Sequence, residues 1–226
     1  GKDVLIAVID SGIDFESPEF RDAQGNSRIQ FLWDQTLSAE QVNGQLPEED
    51  EEFAGKAAPP EGFGRGVEFS KYRIDAALKS RFPKRVVPST DASGHGTAVA
   101  AIAAAGGRLA DGRYQGVAPE SGLLIVKMGT PRPDSFPKTT ELMRAVTYVV
   151  KKAVELGRPI AINLSFGNTY GSHDGTSLVE RFLDNAAEIG RCVVCVGSGN
   201  EGAAGGHVAG SFGLDAERTD MRRIEL

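Results

Sequence analysis

Four short, almost unbroken apolar runs constrain this fold more than anything else in the chain: residues 4–9, 123–126, 160–164 and 192–196. None shows the strict polar/apolar alternation of a strand with one wet face. Near-continuous runs of this length suit strands covered on both sides, as in a parallel sheet. Helical spacing fills the gaps between them. Residues 95–105 carry Val99, Ile102 and a string of alanines, ending at Gly106-Gly107. Residues 140–156 place Met143, Val146, Val149, Val150, Ala153 and Val154 on one stripe, stopped by Gly157 and Pro159. A third helix is expected over 178–189, on Leu178, Phe182, Leu183 and Ala186. Alternation of strand and helix predicts an α/β chain, a doubly wound parallel sheet with helices on both faces.

With 226 residues, 40% of them hydrophobic, the chain is long enough for one sizeable core. A domain of this size buries roughly 70–75% of its unfolded surface. The apolar runs are strand-sized, so no membrane-spanning helix is expected. A net charge of −6 argues against a nucleic-acid partner, which calls for a basic stripe. Much of that excess sits in Glu48-Glu49-Asp50-Glu51-Glu52, read as a solvated loop. Residues 38–90, rich in Glu, Pro and Gly, are expected as a surface insertion, with a short helix around 70–78. Cys192 and Cys195 are too few for a disulfide framework. Three positions apart on a strand they face opposite ways, so buried thiols are expected rather than a redox or metal pair. The chain opens at Gly1 without an initiator Met, signal peptide or pro-segment, and neither this nor the cysteines settles a compartment.

Three polar residues stand at the edges of these elements, two of them just after apolar runs, where open α/β proteins build sites. Asp10, in Asp10-Ser11-Gly12-Ile13-Asp14, comes directly after the first apolar run. Alone, it reads as readily as a turn former or helix cap. His95 lies in Asp91-Ala92-Ser93-Gly94-His95-Gly96-Thr97, at the start of an alanine-rich helix. A helix N-terminus disfavours a charged imidazole, so a proton-accepting His there needs a carboxylate, which Asp10 can supply. Asn200, in Val196-Gly197-Ser198-Gly199-Asn200-Glu201-Gly202, follows the last apolar run. Its amide can donate to a developing oxyanion, although Asn between glycines also marks a left-handed turn.

Taken in order, these three segments closely resemble the subtilase (subtilisin-like) family. Gly116-Val117-Ala118-Pro119 with Leu124-Ile125-Val126-Lys127 resembles the family's central strand and its entry turn, and Ile162-Asn163-Leu164-Ser165-Phe166-Gly167 its substrate-lining strand. The resemblance implies a serine endopeptidase acting on protein or peptide substrates. Asp10 would orient His95, His95 would act as general base and then acid, and Asn200 would stabilise the oxyanion. Ser165, Phe166 and Gly167 would pair with substrate as an added strand, and with Gly197, Ser198 and Gly199 wall the specificity pocket. The resemblance also admits a structural calcium, though no ligand cluster stands out. It favours a secreted, cell-envelope or spore-associated setting, and admits a pro-segment and a C-terminal remainder as partners within the same protein. Ile29-Gln30-Phe31-Leu32-Trp33-Asp34-Gln35 with Ser172-His173-Asp174-Gly175 is similar to a clostridial-type subgroup that includes spore germination proteases and inactive relatives. Members carry an inserted domain after the Asn segment, and residues 212–226 are read as its start.

The match also departs from the family. The Gly-Thr-Ser turn bearing the nucleophile belongs downstream of Asn200, where nothing fits. Gly175-Thr176-Ser177 precedes Asn200, and Ser177 with Glu180 reads better as a helix capping box. The nucleophile is therefore expected beyond Leu226, which leaves this piece inactive by itself. Ala98 and Ala101 stand where many members have His and Gly. His173-Asp174 is read as a rim feature. Two rivals remain: a pseudoprotease scaffold of the same fold, and a dinucleotide site on Gly197-x-Gly199-x-x-Gly202. The second lacks the amphipathic helix its fingerprint requires.

Overall fold

A computed structural model describes residues 1–45, 55–129, 139–165, 174–200 and 202–204. Its centre is a six-stranded sheet of β1 (Leu5–Asp10), β2 (Ile29–Asp34), β3 (Val67–Ser70), β4 (Gly122–Lys127), β5 (Ile160–Leu164) and β6 (Cys192–Val196). The spatial order is β3-β2-β4-β1-β5-β6, with β3 antiparallel to β2 and every other neighbour parallel. The doubly wound α/β expectation holds, with one antiparallel edge strand added. The described helices are α1 (Ala39–Gln45), α2 (Lys71–Lys79), the short α3 (Pro83–Val86), α4 (His95–Ala104), α5 (Thr139–Glu155) and α6 (Leu178–Glu188).

Successive strand residues point to opposite faces, and both faces here are apolar. On β1, Leu5, Ala7 and Ile9 pack with Leu124, Val126 and the buried stripe of α5. Ile6 and Val8 face the other way, onto Leu123, Ile125, α2 and the Ala100 and Ala104 positions of α4. Two cores explain why the runs are continuous. The same alternation carries Asp10 onto the α4 side, where His95 begins the helix.

The stretch expected as a surface insertion is built into the molecule further than its composition suggests. β3 extends the sheet, and Val67, Phe69, Ile74 and Ala77 are fully buried against β2. Ser70 caps α2 by accepting from the Arg73 amide, which accounts for the helix expected near 70–78. A four-residue strand between Glu-, Pro- and Gly-rich flanks leaves too short a pattern to read. β2 was missed as a strand because Gln30 and Asp34 interrupt its apolar run. The acidic run lies outside the described residues, as do residues 212–226.

The buried-thiol expectation needs correction. Cys192 is half-buried, its thiol pushed up by burial, but Cys195 is exposed, and both are free. β6 is the edge strand among the described residues, and Val193 and Val196 beside Cys195 are likewise exposed. A thiol is buried only if something covers the strand face it occupies.

Candidate active site

The strand order reverses about β1, with β4 and β2 on one side and β5 and β6 on the other. A crevice opens at the carboxyl end of such a switch point, and Asp10 is the last residue of the switch strand. His95 reaches it because α4 starts unusually close to β1. A Cβ on Gly96 would stand 2.3 Å from the Gly12 carbonyl oxygen and 3.2 Å from the Asp10 Cβ, so the residue after His95 has to be glycine. Gly94 caps the helix at φ 74°, a left-handed conformation that lets the chain turn sharply into it.

The result is a direct hydrogen bond, 2.7 Å from His95 Nδ1 to Asp10 Oδ1. A carboxylate oxygen only accepts, so Nδ1 carries the proton that bridges the two. The Ser11 amide donates to the same oxygen at 2.7 Å. Asp10 is 5% exposed and the His95 side chain 53%. The carboxylate is therefore sheltered while the imidazole is open to solvent. A buried carboxylate thus fixes the orientation of an imidazole whose ring is half exposed.

The other expected residues follow the strands on the far side of β1. Register pairs Ile9 with Leu164 and Leu164 with Val196, so Asp10, Ser165 and Gly197 are level. Two strand spacings separate β1 from β6, about 10 Å. Ser165 is half-buried and its hydroxyl donates to Asn163 Oδ1 at 2.7 Å. The Gly197 amide donates to the Leu164 carbonyl at 3.0 Å, extending the β5–β6 ladder by one rung. Gly197, Ser198, Gly199 and Asn200 are exposed. Phe166, Gly167 and His173 lie outside the described residues.

The sequence model of the subtilase family, Peptidase S8, matches residues 1–218. The chain belongs to the subtilase family. Among solved structures, the CspB protease of Clostridium perfringens is 33% identical, with a TM-score of 0.70 over 88% of this chain. The subtilase spans 36% of that protein. The S41 psychrophilic protease (23% identical, TM-score 0.51, covering 86% of this chain and 45% of that one) and sphericase (20%, 0.56, 89% and 47%) share the fold.

Sequence reasoning quoted Asp91 and Ser11 without giving either a role. In this subtilase, Asp91 accepts from Ser11 Oγ (2.8 Å), Ser93 Oγ (3.2 Å), the Gly94 amide (3.0 Å), the Thr97 amide (2.8 Å) and Thr97 Oγ1 (2.7 Å). Burial alone would raise its pKa, but the hydrogen bonds from Thr97, Ser11 and Ser93 outweigh it and hold the carboxyl below its ordinary value. An Asp and a Ser just ahead of a helix are capping residues, and that was the available signal. A second polar set continues along the same edge. Lys127 on β4 pairs in register with both Asp10 and Asp34, and its Nζ lies 3.7 Å from Asp34 Oδ2. Lys127 also donates to the Thr90 carbonyl at 2.6 Å, tying the sheet to the segment before Asp91. Asp34 is fully buried and accepts from Ser89 Oγ at 2.7 Å. Among the described residues, no group of three or more His, Cys, Asp or Glu side chains is arranged to hold a metal ion. No described helix is long and apolar enough to cross a membrane.

Proposed function

We propose that this subtilase supplies the acid–base half and the oxyanion donor of a serine endopeptidase, with the nucleophilic Ser contributed from outside the chain. The observation that carries this reading is the 2.7 Å Asp10–His95 bond, with the far side of the imidazole left open. His95 Nε2 takes the proton from the attacking Ser and later returns it to the leaving amine. Asp10 fixes the tautomer and stabilises the imidazolium formed in between. Asn200, on the exposed segment after β6, donates its amide to the tetrahedral oxyanion, a role worth about 3–4 kcal/mol where such a donor has been removed.

Substrate lies as an added strand along Ser165, Phe166 and Gly167, with Gly197, Ser198 and Gly199 walling the primary pocket. The level register of Ser165 and Gly197 beside Asp10 supports that placement. The likeness to the Clostridium perfringens CspB protease favours the clostridial-type subgroup. Kinetics on the complete protein test the proposal. Wild type should cleave peptide substrates, and His95→Ala should abolish the cleavage. A well-folded, correctly processed protein with no hydrolysis would point instead to a scaffold of the same fold.

A further inference from the structure

We propose that Asp91 is a positioning residue for the Asp10–His95 pair, acting through the Ser11 hydroxyl and the first turn of α4. The inference rests on the peptidase reading and names a residue that holds its geometry.

The first four amides of a helix have no partner within it. In α4 these are the amides of Gly94, His95, Gly96 and Thr97, and the Ala98 amide makes the first helical bond, to the Gly94 carbonyl. All four go to three side chains: Gly94 N to Asp91 Oδ1 (3.0 Å), His95 N to Ser93 Oγ (3.2 Å), Gly96 N to Ser11 Oγ (3.0 Å) and Thr97 N to Asp91 Oδ2 (2.8 Å). Two of these acceptors, Ser93 and Ser11, themselves lie against Asp91 Oδ1. One carboxylate thus organises the whole turn that carries the imidazole.

Ser11 ties that turn to Asp10. Its single hydroxyl proton faces two carboxylate oxygens, Asp91 Oδ1 at 2.8 Å and Asp10 Oδ1 at 3.1 Å. With Asp91 ionised, the shorter bond takes the proton. Asp10 Oδ1 then keeps two N–H donors, from Ser11 and His95. Without the Asp91 charge the hydroxyl turns to Asp10 Oδ1 as a third donor. It then competes with Nδ1 for the oxygen that orients the base. An ordinary helix cap would stabilise α4 and leave that competition unchanged.

Asp91→Asn is the informative variant, because Asn caps helices about as well as Asp. In the complete protein it should lower kcat at least tenfold, leave KM within about twofold, and move the downfield proton resonance of His95 Nδ1–H. In a Ser11→Ala background the same substitution should change kcat less than threefold, since the competing hydroxyl is gone. A lowered melting temperature with kcat and the resonance unchanged would reduce Asp91 to a cap and overturn the proposal. If Asp91→Asn does not fold, Asp91→Ser, which keeps a capping oxygen without the charge, takes its place: a moved Nδ1–H resonance supports the proposal and an unmoved one overturns it. The resonance is readable in a protein that does not cleave peptides, so failure of the peptidase reading would show in the wild-type rate and not in this comparison.

Discussion

At the residue scale, the geometry of the Asp10–His95 pair depends on what surrounds Asp10. Its carboxylate is buried, bonded to Nδ1, and placed on the α4 side by strand alternation. Asp10→Asn in the complete protein should lower turnover by about four orders of magnitude with the fold intact, because the amide presents the wrong tautomeric partner to the imidazole. Circular dichroism alongside steady-state kinetics checks both halves of that expectation. Asp91 gives a pH signature. Its carboxyl is held below the unfolded value of 3.8, so between the two values the unfolded chain binds more protons. The stabilisation is complete above about 3.8 and is lost as pH falls through the lower, folded value. Melting temperature against pH should therefore drop less steeply below pH 4 in Asp91→Asn than in wild type. Asp10 and Asn200 were legible as candidates because each follows an apolar run, and His95 because it opens an alanine-rich helix. Asp91 was not singled out, since its partners converge on it only once β1 and α4 are packed.

At the element scale, the close approach of α4 to β1 is the critical contact. Gly96→Ala places a methyl carbon against the Gly12 carbonyl, and backbone cannot give way as a flexible side chain can. Denaturant unfolding should show a loss of about 1–3 kcal/mol, with turnover falling as His95 is displaced. The α6 N-terminus offers a control. Ser177 and Glu180 form the reciprocal capping box expected from their spacing. Ser177→Ala should cost about 1 kcal/mol of stability and leave turnover unchanged. Long, periodic elements were readable: α4, α5 and α6 lie within a residue or two of where apolar spacing puts them. β3 was not, because four residues carry almost no period and their burial comes from β2 and α2, distant in the sequence. Exposed Cys195 makes the same point in reverse, since an apolar strand pattern says nothing about whether a neighbour covers it.

At the scale of the whole molecule, the sheet explains why residues scattered along the chain reach one edge. The strand order sets Asp10 between the α4 turn and the carboxyl ends of β5 and β6. This chain spans 36% of the Clostridium perfringens CspB protease and matches the subtilase family over residues 1–218. The 226-residue chain by itself should show no peptidase activity in a fluorogenic peptide assay, because the proposed nucleophile lies outside it. Mapping a serine-directed phosphonate on the complete protein by peptide mass spectrometry tests that account most directly. One adduct is expected, on a serine C-terminal to Leu226, formed in wild type and lost in His95→Ala. An adduct on Ser177, or no adduct in fully folded protein, would contradict it.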